Sequence, residues 1–195
     1  MKKEKLFHIS EDPKIKIFEP LPAAFYTGVI TRDVVFAISE KMLHNYLLPR
    51  NCPRVTWYAG PETTETDKKK FLELSTAEYV IAVESKWLLP IQRTTLYCYE
   101  FSPQSFSLLD ECAGYYISNE TIVPLSARPV YNIMEEMLKR NVELRFMPSI
   151  IELGESVKHS SLKFSLIRMQ NAQTMIVKRN EIIHLNGNGR ANPGY

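Results

Sequence analysis

Tyr79-Val-Ile-Ala-Val83 is apolar at every position, and that run constrains the fold more than any other feature of the chain. A strand with one wet face alternates apolar and polar residues. A strand without alternation has to be covered on both faces. The run therefore predicts a strand buried on both faces. Other segments read as strands: residues 5–9, 33–38, Arg54–Tyr58, Thr94–Phe101 and Tyr115–Ser118. In Val142–Phe146, Val142, Leu144 and Phe146 alternate with Glu143 and Arg145. With 195 residues, 45% of them hydrophobic, the chain has the material for a sizeable core and is not a disordered polypeptide.

Helices are fewer. Ser39 is a candidate cap for a short helix presenting Met42, Leu43, Tyr46 and Leu47 on one face and ending at Pro49. Thr64 or Thr66 caps a second helix through Leu74, whose Lys68-Lys-Lys70 run reads as a hydrated face. The spacing of Val130, Ile133, Met134, Met137 and Leu138 predicts a helix over 129–140, with Pro129 in its first turn and the methionines in the core. Residues 157–171 fit a helix through Leu162, Leu166 and Met169, although Leu162, Phe164 and Leu166 also alternate. A hairpin is expected over 173–185 around Lys178-Arg-Asn180, and a mobile polar tail over 186–195. Together these features predict an α+β fold: mixed, mostly antiparallel short-strand sheets with a few flanking helices, forming one globular domain over 1–185.

Several function classes are disfavoured. Twenty-four basic residues against 22 acidic ones, net +2, give little counterion-release drive for nucleic acid. No apolar run approaches a membrane span, and the one behind the basic N-terminus is too short for a secretory signal, so a soluble cytoplasmic protein is expected. Cys52, Cys98 and Cys112 are odd in number and lack C-x-x-C spacing, which predicts free, buried thiols. His8, His44, His159 and His184 are too scattered for a metal motif, and no metal site is expected. Phosphate loops, dinucleotide fingerprints and nucleophile elbows are absent from the sequence.

The chemistry-bearing residues gather at strand ends. His8 lies between Phe7 and Ile9 and so points to the opposite face from both, with Ser10, Glu11 and Asp12 following it. Leu48-Pro-Arg50-Asn-Cys52-Pro-Arg54 is a short loop stiffened by two prolines and carrying two guanidiniums, rigid forks suited to phosphates and carboxylates. Gln92-Arg93-Thr94-Thr95 offers further donors, and among Trp57, Tyr58, Tyr97, Tyr99, Tyr115 and Tyr116 one or two are expected to wall a cleft.

The blocks Leu6-Phe-His-Ile-Ser-Glu-Asp-Pro13, Phe36–Glu40, Tyr46-Leu-Leu-Pro-Arg-Asn-Cys-Pro-Arg-Val-Thr-Trp-Tyr58, Arg93–Tyr97, Ala113–Ser118 and Val142–Phe146 resemble the bacterial DUF6886 family, which has no assigned function. The resemblance runs over about residues 5–172, and its Pro-Arg-Asn-Cys-Pro-Arg-Val-Thr block is specific. The opening strand with its aromatic–His pair and the Phe18-Glu-Pro20 loop is also similar to the start of ADP-ribosyltransferase-like domains. That second resemblance implies NAD as cofactor, with His8 on its ribose, Tyr46 or Phe36 stacked on nicotinamide, and a late glutamate supporting transfer. Gly114 stands where that glutamate is often found, leaving Glu111 and Glu120 as the nearby carboxylates.

Two readings follow. In the first the chain is an NAD- or nucleotide-handling transferase with His8, Glu111 and Glu120 as catalytic candidates. Ser10, Tyr46, Arg50, Arg54 and Arg93 then join His8 in binding the cofactor. In the second it is a non-catalytic module using the same cleft for a small anionic molecule or a partner protein. Both expect His8 and the arginine loop to border one hollow.

Overall fold

A computed structural model describes residues 4–23, 30 and 32–173. The hairpin and tail expected beyond Gln173 lie outside the described residues. Two sheets form the body of the fold. The larger runs β6(Ser107–Asp110), β7(Tyr115–Ser118), β2(Val35–Ser39), β1(Leu6–Ser10), β5(Leu96–Phe101), β8(Ser126–Val130) across its width, with every neighbouring pair antiparallel. The smaller runs β10(Lys163–Ile167), β3(Arg54–Tyr58), β4(Tyr79–Glu84), β9(Val142–Met147), with only β4 and β9 parallel. Mixed α+β architecture with mostly antiparallel sheets is therefore observed.

As its sequence requires, β4 is buried at every position. Tyr79, Ile81 and Val83 join Phe7, Ile38, Leu96, Cys98 and Val130 of the larger sheet in one core, closed by Ile91 and by Ile133 and Met137. Those three belong to helices α2(Leu88–Arg93) and α3(Ile133–Lys139). On the opposite face of the smaller sheet, Val80 and Ala82 pack with Val55 and Trp57 beneath Phe71 of α1(Glu65–Leu72) and Val157 of α4(Ile151–Lys158). The outer face of the larger sheet carries Leu6, Val35, Ala37, Tyr99 and Phe101 under Phe18 and Ile122. Two loops bring these last residues there. Phe18 and Ile122 exchange backbone hydrogen bonds at 2.8 and 2.9 Å, and the Tyr99 hydroxyl donates to the Asp12 carbonyl at 2.6 Å.

Some expected elements change. Pro129 lies in β8, not in a helix: β8 is an edge strand, where a missing N–H leaves no ladder bond unmade. The helix starts later, capped by Asn132, whose side chain accepts the Glu135 N–H at 3.1 Å. Residues 157–171 are overturned as a helix: α4 ends at Lys158, and the Leu162/Phe164/Leu166 alternation belongs to β10 and its approach. The segment after Ser39 is a 3₁₀ helix over Glu40–Tyr46, and Ser39 does not cap it with its side chain. Thr64 caps α1 by accepting from the Asp67 N–H. Cys52 and Cys98 are buried free thiols, whereas Cys112 is half-buried beside the Tyr58 hydroxyl. Among the described residues no helix is long and apolar enough to cross a membrane.

Candidate functional site

The larger sheet is split between its two central strands. β1 pairs with β2 only at Leu6–Ser39 and Phe7–Ile38. On their outer sides, β1 stays paired with β5 as far as Ser10–Tyr97, and β2 pairs with β7 from Val35–Ser118. His8–Ser10 and Val35–Ala37 therefore border a fork. The Glu40 N–H donates to the Lys5 carbonyl, so alternation along an antiparallel ladder would next give the Phe36 carbonyl to Ile9. Instead the His8 imidazole fills the crotch, with Nδ1 3.1 Å from the Phe36 oxygen.

A carbonyl can only accept, so Nδ1 carries the proton and Nε2 presents a lone pair. The ring lies 4.8 Å from Phe18 and 6.2 Å from Phe101. Burial holds the His8 pKa below its ordinary value. The bond to Phe36 partly offsets this, and the Arg50 charge lowers it further. Nε2 has no hydrogen bond to the described residues and is not among their closed-off, unpartnered atoms. The result is a neutral imidazole of fixed tautomer whose second nitrogen has no hydrogen bond to the described residues.

Arg54 opens β3. Val55 and Trp57 face the helices, so Arg54, Thr56 and Tyr58 face the other way. Arg54 is 2% exposed. Its Nε donates to the Asn45 carbonyl at 2.9 Å and its Nη1 to the Cys52 carbonyl at 2.8 Å, while the guanidinium lies 5.6 Å from the centre of the Tyr46 ring. No carboxylate among the described residues pairs with it. Burial chiefly lowers its pKa. The neighbouring Cys52 thiol is itself pushed up to about 12 by burial, and burial raises Tyr115, so at neutral pH neither supplies the missing negative charge. Nη2 has no protein acceptor among the described residues and is not sealed off.

The two groups face opposite sides of the larger sheet, His8 packing with Phe18 and Phe101 on its outer face and Arg54 facing the space between the sheets, and Phe36 lies between them. Its carbonyl holds His8, and its ring lies edge-on to Tyr115 at 6.3 Å. The Tyr115 hydroxyl meets that of Tyr46, whose ring lies under Arg54.

The other expected site residues divide. Arg50 is exposed, and its backbone N–H donates to Glu11 Oε1 at 2.8 Å, fastening the proline-braced loop to the end of β1. Ser10 is engaged locally, accepting the Asp12 N–H. Glu120 follows β7 at the forked end, two residues beyond Ser118, the partner of Val35. Glu111 lies at the other end of β7, where the Gly114 carbonyl accepts the Ser39 N–H, so the topology does not bring it to the fork. Arg93 is exposed at the end of α2, four residues before Tyr97. Among the described residues no three His, Cys, Asp or Glu side chains converge to hold a metal ion.

Sequence reasoning overlooked Arg168. It follows β10 at half-burial with φ +57°, and its charge bears on Arg54. The helical reading of 157–171 concealed it; the alternation of Leu162, Phe164 and Leu166 was the available signal.

The family model "Family of unknown function (DUF6886)" matches residues 7–172, and the chain belongs to that family. Neither a curated protein nor a solved structure matches it.

Proposed function

We propose that this DUF6886 chain binds a small phosphate-bearing, nucleotide-like molecule between the β1/β2 fork and Arg54. The observation that carries the reading is Arg54 itself: a guanidinium 2% exposed, with two carbonyl partners, no carboxylate and one unsealed nitrogen. A buried charge without a counter-charge is costly, and a bound anion supplies one. In this reading His8 Nε2 accepts from a sugar hydroxyl, and Tyr46, Tyr115 or Phe36 offers a face to a planar base. Arg50, at the loop rim, adds positive field.

Calorimetric titration with ADP-ribose tests the reading. Wild type is expected to bind, and Arg54→Met to bind at least about tenfold more weakly. Arg54→Lys, which retains a buried charge but not the fork, should fall between them. Absence of heat from wild type at millimolar ligand would refute the reading.

A second reading makes the same site an NAD-using transferase, and it is favoured by the position of Glu120 beyond β7 at the forked end. A carboxylate there would stabilise the oxocarbenium-like ribose as nicotinamide departs with the electrons of the glycosidic bond. Nicotinamide release from NAD, lost in Glu120→Gln, would support it. ADP-ribose binding without turnover would leave the non-catalytic binding module.

A further inference from the structure

Arg54 has a cationic neighbour that its strand register delivers. Ile167, the last residue of β10, is the Cα partner of Arg54, and Arg168 comes directly after it. The chain then turns sharply, with Arg168 in the left-handed region (φ 57°, ψ 28°), which a non-glycine residue adopts only at a cost. The turn is pinned on both sides. Its Asn171 N–H donates to the Arg168 carbonyl at 2.9 Å, and Asn171 Nδ2 donates to the Asn51 carbonyl at 2.8 Å. Asn51 belongs to the same proline-braced loop whose Cys52 carbonyl holds Arg54. A strained turn thus holds the Arg168 backbone next to the strand position of a buried guanidinium, and the Arg168 charge acts on Arg54.

We propose that Arg54 and Arg168 form a two-guanidinium clamp for a ligand with two adjacent phosphoryl groups, Arg168 being the residue that selects diphosphate over monophosphate. The inference rests on the phosphate-binding reading of Arg54 and adds the charge class of the ligand. A single phosphoryl group would compensate one buried guanidinium. Two linked groups present oxygens to both forks, and each fork can bind two of them side by side. The depression of the Arg54 pKa by the Arg168 charge is consistent with this pairing.

Inorganic pyrophosphate and orthophosphate are the probes, titrated calorimetrically into wild type, Arg168→Asn and Arg168→Lys. Asparagine tolerates the left-handed backbone and removes the guanidinium; lysine keeps the charge without the fork. Wild type is expected to bind pyrophosphate about tenfold or more tightly than orthophosphate. Arg168→Asn should abolish that preference while orthophosphate binding changes less than about twofold, and Arg168→Lys should restore part of it. Equal binding of the two anions by wild type would overturn the clamp and leave the Arg54 reading standing. Binding of neither at millimolar concentration would overturn both. Should Arg168→Asn not fold, the wild-type ratio still decides.

Discussion

The two ends of the β1/β2 pair each hold a histidine kept below its ordinary pKa, but the second ring nitrogen meets different surroundings. At the closed end, His44 of the 3₁₀ segment is 1% exposed and lies 4.1 Å from Tyr79, and its Nε2 is buried with no partner. Burial, and then the Arg140 charge, push its pKa down to about 4. At the forked end, burial also keeps His8 neutral, yet its Nδ1 is fixed by Phe36 and its Nε2 is not among the sealed, unpartnered atoms of the described residues. The shared direction of the shifts therefore says little about role. An orphaned nitrogen sealed in the core is a stability cost, whereas in the proposed reading an oriented acceptor at a split in a sheet takes a ligand's hydroxyl.

Disturbing the closed end should have the largest effect. Gly114 has φ +68°, and a Cβ there would fall 2.5 Å from Ser39 Oγ and 2.7 Å from Met42. Gly114→Ala is expected to cost about 4 kcal/mol in urea denaturation through left-handed strain and overpacking. A cost below about 1 kcal/mol would mean that this end is not tightly closed.

His44 comes next. Its folded pKa of about 4 lies below the unfolded value of 6.5, so the unfolded chain takes up the proton first. Stability is full above pH 6.5 and is lost as pH falls towards 4, by about 3 kcal/mol. Denaturation midpoints across that window, compared between wild type and His44→Phe, measure it; an unchanged slope in the variant would contradict the assignment.

The effect at His8 should be smaller. Replacing it with Phe removes the bond to the Phe36 carbonyl and is expected to cost about 1 kcal/mol while weakening ADP-ribose binding. A larger loss of stability with binding intact would make His8 a packing residue like His44. Smallest of all is Arg168→Asn, where asparagine keeps the left-handed backbone of a half-buried turn, so a stability change below about 0.5 kcal/mol is expected with the change confined to anion preference.

The strands that carry this contrast were legible in the sequence, but the contrast itself was not. Arg54–Tyr58 and Tyr79–Val83 declare themselves because their apolar residues suit no other element. The position of His8 opposite Phe7 and Ile9 follows from strand alternation alone. The fork does not, because register between strands 28 residues apart depends on tertiary pairing that no local pattern encodes. Proline at 129 suits a helix's first turn and an edge strand equally, and only the sheet order decides. Arg54 read as a loop donor because a guanidinium on an inward strand position without a carboxylate is rare. Its burial, and the proximity of Arg168, come from the β3–β10 pairing.

In the proposed reading a ligand at the forked end reaches both Arg54 and His8, while His44 at the closed end stays sealed from it. Side-chain imidazole NMR during titration with ADP-ribose tests it most directly. The His8 ring signals are expected to shift saturably, His44 signals to stay in place, and Arg54→Met to abolish the response. His8 signals unmoved at millimolar ligand would contradict it.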